Sequence, residues 1–121
     1  MDRARKIIHN NKEVWVVDYS SQRGDELIET FELARTLVLA EAKPVVVLSI
    51  FDGKTYINSH FMNHVRLRLP ELEQMIERNA IVGLTTVQGW ILKGVNQWYR
   101  AQLRPFSSIN EALDYLTQDE Q

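Results

Sequence analysis

Two histidines four residues apart, in the string HFMNH over positions 60–64, have the spacing at which a helix turns two imidazoles toward one metal ion. The glutamate of an HExxH site is missing between them, and His9 is too far along the chain to be placed as a third ligand. His60 and His64 fall opposite Phe61, Met62 and Val65, on a face shared with Arg68 and Glu71. They are expected in solvent, and no metal is assigned.

Three apolar runs end in groups able to hold an anion or a small polar molecule. VWVVDYS closes on Asp18 and Ser20, PVVVLSIFDG on Asp52 and Gly53, and NAIVGLTT on Thr85 and Thr86. If the runs are parallel strands, their ends share the sheet edge where open α/β folds bind ligands. These six residues are therefore the candidate ligand-binding set. The run from Gly83 to Gly89 is neither a GxxxxGK[ST] loop nor a GxGxxG fingerprint, and Lys93 falls a turn inside the next helix. Gly83 reads as a bend or close approach of the backbone, and Gly89 and Gly94 as places where the helix nears its neighbours. No serine has the GxSxG setting, and no two acids are placed by local spacing for general acid and base work. No catalytic residue and no cofactor is assigned.

The composition suits one domain, 1–121. A chain of 121 residues, 45% hydrophobic and 25% charged, can bury about two thirds of its unfolded surface. Fourteen Lys and Arg against sixteen Asp and Glu leave a net charge of −2, too little to make nucleic acid the default partner. With no cysteine there is no disulfide, thiolate zinc site or cysteine nucleophile. The apolar runs are too short for a membrane span, and the basic opening MDRARKIIHNNKE has no apolar core of a signal peptide. A cytoplasmic location is expected.

Period changes divide the chain. Asn10 and Asn11 lie between short apolar segments and read as a hairpin turn before the strand KEVWVVDYS. Leu27, Phe31, Ala34 and Val38 share one face of a helix between Arg23 and Ala42, with Ser21 or Asp25 as cap and Pro44 as stop. PVVVLSIFD is apolar on consecutive positions, as a central strand covered on both faces should be. Asn58 or Ser59 opens a pattern running through Phe61, Val65, Leu69 and Ile76, which Pro70 either kinks or divides into helices 59–68 and 70–78. NAIVGLT is another buried strand, and Val87, Ile91, Val95 and Trp98 mark the inner face of the next helix. Of Trp90, Trp98 and Tyr99, at least one must be partly exposed, since they cannot all share that face. Leu103 to Phe106 reads as a short strand. Ser108 and Glu111 then form a capping box for a helix with Ile109, Ala112, Leu113 and Leu116 inside. The order is β-β-α-β-α-β-α-β-α.

In that order and spacing, VVDYSS, PVVVLSIFDGKTY, NAIVGLTTVQGWILKGVNQWYR and LRPFSSINEALDYL resemble the SpoIIAA-like family, bacterial single-domain relatives of the STAS domain, over nearly the whole chain. The resemblance implies an α/β fold with a mixed, mostly parallel sheet of about four to five strands flanked by helices. It also implies a noncatalytic regulatory or protein-interaction module with a protein partner, and leaves a homo-oligomer open. Related anti-anti-sigma factors are switched by phosphorylation of a serine at the helix start after the central strand. Ser59 is the nearest match, although FDGKTYINSHFM stands here in place of an Asp-Ser-Ser-Gly-Leu-Gly type run. Capping of the helix by Ser59 or Asn58 is the preferred reading. The alternative is a carrier of a small ligand, a lipid or nucleotide, of the SEC14-like type, which would need an apolar pocket.

Overall fold

The computed structural model describes residues 2–97, 99 and 102–119. Asn10 and Asn11 both adopt positive φ, 51° and 65°, as a two-residue hairpin turn requires. Strand β1 (Ala4–His9) accordingly folds antiparallel onto β2 (Lys12–Asp18), with His9 opposite Lys12. Each later strand is reached through a helix and lies parallel to its predecessor: β3 (Val45–Ile50), β4 (Ile76–Val82) and β5 (Leu103–Phe106). The sheet order is therefore β1-β2-β3-β4-β5. Successive crossovers of one hand, all stepping the same way, must deposit their helices on one face. That face carries α1 (Asp25–Leu39), α2 (Ser59–Arg68) and α3 (Thr86–Asn96). The other is covered by α4 (Ile109–Thr117).

Alternation along the strands sorts the core. Val17, Val47 and Ile81 face the three helices, with Leu27, Phe31, Phe61 and Leu92 packed above them. Val14, Val16, Val46, Leu48, Ala80 and Val82 face Ala112, Leu113 and Leu116 of α4. Burial on both sides explains the unbroken apolar run of β3.

Local detail departs from expectation in several places. Helix α1 is capped by Gly24 at φ 56°, with no side-chain bond. Ser21 instead occupies a left-handed turn at φ 60° and bonds Asp52. The segment 70–78 is not a helix: a single 3₁₀ turn that contains Pro70, Leu69–Leu72, gives way to β4 at Ile76, which pairs with Val45. Ile76 thus obeys the strand's period and not the preceding helix's. In α3 the inner face is Gln88, Leu92 and Val95, while Val87 is 61% exposed. Gln88 folds back to bond the Thr85 N–H and also reaches the Thr55 carbonyl, and this double anchor sets the rotation of the helix. Ile109 is 45% exposed at the start of α4 and lies outside its inner face. Trp90 is exposed and Tyr99 buried, whereas Trp98 lies outside the described residues.

The glycines divide. Gly83 has φ +85°, and a Cβ there would stand 1.8 Å from the Phe51 carbonyl oxygen, so only glycine lets β4 leave the sheet beside β3. A Cβ on Gly89 or Gly94 would meet nothing within 4 Å. These two provide no close approach to a neighbour among the described residues, because both turn away from the sheet.

Candidate functional site

Parallel β2, β3 and β4 deliver Asp18, Asp52 and Thr85 to one edge of the sheet. There Asp18 and Thr85 bond within their own loops, and Asp52 also takes bonds from the loop after β2. The Asp18 carboxylate accepts the Ser20 N–H at 2.9 Å and lies 3.7 Å from the Arg3 guanidinium, which donates to the Ser20 carbonyl at 2.9 Å. The Asp52 carboxylate accepts the Ser21 N–H and hydroxyl at 2.9 and 2.7 Å and the Lys54 N–H at 2.9 Å. The Ser21 hydroxyl, ahead of its N–H, holds the Asp52 carboxyl well below the usual carboxylate range. Gly53 is exposed in the same turn. Thr85 caps α3 by accepting the Gln88 N–H at 3.2 Å, and Thr86 is the exposed first residue of that helix. The Thr55 hydroxyl lies 2.9 Å from the Tyr19 carbonyl, and Gln88 donates to the Thr55 carbonyl at 3.0 Å. Loops after three strands are thereby tied through the turn at 52–55. Ser21, Thr55 and Gln88 belong to this knot, and only their polarity could have marked them in the sequence.

Ser59 is the first residue of α2 and exposed, while Asn58 caps the helix by accepting the Phe61 N–H at 2.9 Å. The two histidines part company. His60 is in solvent, 3.4 Å from Asp25. His64 is not: it is wedged between α1 and α2, 2.8 Å from Glu32 and edge-on to Phe31. Glu32 also takes two bonds from Arg35, the main reason its carboxyl is lowered to about 2. Among the described residues no group of three His, Asp or Glu side chains could hold a metal ion.

Behind the loop knot, between the sheet and α1, α2 and α3, lies a cavity of about 110 Å³. Val17, Val47 and Ile81 form its floor, and Val65, Leu72, Leu92 and Val95 stand among its walls. Tyr19, Phe31, Phe51 and Phe61 also line it, with Tyr19 stacked on Phe51 at 4.9 Å and edge-on to Phe61 at 6.0 Å. Its polar lining is sparse: Tyr19, Arg35, Ser49, Asn79 and Gln88. Arg35 is paired with Glu32 at 2.8 Å and Glu71 at 3.2 Å. No local pattern announces such a space, since it is the residue left when three helices and a sheet fail to fill their common volume.

No family model matches the sequence, and no curated protein matches it significantly. In three dimensions the chain is similar to an uncharacterised protein of the DUF3478 family with a SpoIIAA-like fold, from Shewanella loihica PV-4. The two share a TM-score of 0.68 at 17% identity, over 93% of this chain and 91% of that one. The chain has a SpoIIAA-like fold. The architecture read from the sequence is thereby shown: an α/β sheet of five strands, mostly parallel, with helices on both faces. Within this SpoIIAA-like frame Ser59 opens the helix that follows the central strand β3, and the cavity lies under that helix and its two neighbours. Among the described residues no helix is long and apolar enough to cross a membrane.

Proposed function

We propose that this SpoIIAA-like domain is a noncatalytic binding module that holds a small, mainly apolar ligand between its sheet and helices α1 to α3. The observation that carries the reading is the cavity of about 110 Å³, lined almost entirely by apolar side chains of the core. A dry apolar space of this order accommodates small hydrophobic molecules, as engineered cavities of about 150 Å³ accept benzene or xenon. The acids at the strand ends support binding over catalysis, because Asp18 and Asp52 already accept hydrogen bonds from the loops at that edge. Native followed by denaturing mass spectrometry of the chain isolated from its own cells tests this. A mass released on denaturation supports the reading. A bare chain whose core methyl resonances also ignore xenon under pressure overturns it.

Protein docking is the second reading, favoured by Tyr56, Val87 and Trp90, all more than half exposed. Tyr56 follows the loop knot, and Val87 and Trp90 lie on the outer side of α3. Ser59, exposed at the N-terminus of α2, would let phosphorylation tune such docking, since a phosphate there gains from the helix dipole and free amides. Mass mapping of phosphate to Ser59, with partner binding changed by Ser59→Ala, is the expected result. A phosphorylated chain that binds its partner no differently would remove the tuning role.

A further inference from the structure

We propose that the cavity recognises a small neutral molecule with an apolar body and one hydrogen-bonding group, an alcohol or primary amide in chemical class, through Tyr19, Ser49 and Asn79. The inference rests on the ligand-binding reading above and gives it a chemical specificity. Tyr19 is 5% exposed, and its hydroxyl makes no hydrogen bond among the described residues; Thr55 bonds its backbone carbonyl. Asn79 is 4% exposed in the middle of β4 and uses one amide N–H on the Tyr99 hydroxyl, at a long 3.3 Å. Its amide oxygen has no partner among the described residues. The Ser49 hydroxyl on β3 is likewise without one. All three line the same cavity. Every polar side-chain atom sealed from solvent among the described residues has a partner, so these groups keep open space beside them.

Polar groups with unspent bonds are disfavoured in an apolar wall, where an aliphatic side chain would serve packing at no such cost. Their common access to one cavity is what a ligand site needs. The strand register places Ser49 opposite Ile81 and Asn79 opposite Val47, so the hydroxyl and the amide sit on neighbouring strands, two residues apart along one face. Together the three groups offer both donors and acceptors, which suits a hydroxyl or amide that is itself both. They offer no charge. Arg35 is the one charged residue of the lining among the described residues, and two carboxylates already hold it. Gln88 is also committed, to Thr55 and to the cap of α3. The volume is about three quarters of the roughly 150 Å³ that admits the six carbons of benzene, room for about four or five non-hydrogen atoms.

The test is a methyl-detected NMR titration at neutral pH with 1-butanol, 1-chlorobutane and butyrate, on the parent chain and on Ser49→Ala, Tyr19→Phe and Asn79→Leu. The resonances of Val47, Ile81 and Leu92 report entry. In the parent, 1-butanol is expected to bind and butyrate not. In each variant the affinity for 1-butanol relative to 1-chlorobutane should fall about fivefold, the worth of one net hydrogen bond. Ser49→Ala and Tyr19→Phe each lose only a hydroxyl, which keeps the comparison open should Asn79→Leu fold poorly. If alcohol and chloride change in parallel, the polar groups serve a trapped water and the specificity proposed here is overturned, while the cavity still binds. Tighter binding of butyrate overturns the neutral class. If none of the three probes enters, the ligand-binding reading falls as well.

Discussion

The same substitution, glycine to alanine, should have opposite signs at two ends of one connection. At Gly83 the backbone stands at φ +85° and the added methyl would lie 1.8 Å from the Phe51 oxygen and 2.6 Å from its carbonyl carbon. The left-handed conformation alone costs an L-residue about 1–2 kcal/mol. Relief of the clash must move backbone and not a side-chain tip, and the Phe51 N–H is tied to the Val82 carbonyl at 2.9 Å. Losing that bond adds about 1 kcal/mol, and repacking beside Asp52 adds more. Gly83→Ala should therefore destabilise by about 3–5 kcal/mol, a large part of the roughly 5–15 kcal/mol available to a domain of this kind. Gly89 and Gly94 lie inside α3 with open space where a Cβ would go. Alanine there gains helix propensity and should stabilise by about 0.5–1 kcal/mol each. Urea unfolding followed by far-ultraviolet circular dichroism measures all three, with unchanged m-values licensing the comparison. A Gly83→Ala protein within about 1 kcal/mol of the parent would show that β4 does not pass Phe51 as described. Loss of stability in Gly89→Ala or Gly94→Ala would mean that α3 presses its outer side against something after all.

Two pH dependences follow from the ionisable groups. The Asp52 carboxyl is depressed in the folded chain, so the stability it contributes is complete above the ordinary carboxylate value near about pH 4 and is lost as pH falls below it. Ser21→Ala removes the leading cause and should flatten the acid limb of unfolding midpoint against pH; an unchanged limb would refute the role of Ser21. At the alkaline end, burial raises the Tyr99 hydroxyl to about 12 and pushes Tyr19 up as well. The stability linked to them is present below about pH 10 and declines as pH rises through their folded values. Ultraviolet titration should leave Tyr19 and Tyr99 protonated at about pH 11 while the chain stays folded. Full ionisation there without unfolding would contradict their burial.

The order of elements was legible because each change of period falls near a real boundary. Consecutive apolar residues in β3 announced a strand covered twice, and Asn10-Asn11 and the Ser108 to Glu111 spacing marked a turn and a cap that the structure contains. Where reading failed, specific partners had outvoted hydropathy. Gln88 turns inward because two partners await it, which rotates Val87 outward. Ile76 was counted with a helix whose period it happens to continue, although its partner Val45 lies in another strand. At the candidate site, Asp18, Asp52 and Thr85 were placed at one edge by the parallel strands, but which loop each would bond depended on turns the sequence does not specify. His64 faced α1 instead of water because Glu32 and Phe31, 32 and 33 positions earlier, stand across from it. Asn79 and Ser49 looked like ordinary strand residues, since only the missing partner makes them notable.

The unequal cover of the sheet bears on how the chain is made. Its three-helix side is assembled by residue 96, but the opposite side acquires α4 only when Ile109–Thr117 arrives. Until that short segment docks, Val14, Val16, Val46, Leu48, Ala80 and Val82 have no cover on that side. A chain cut before Ala112 should therefore expose a bare apolar plane, the kind of surface that drives association.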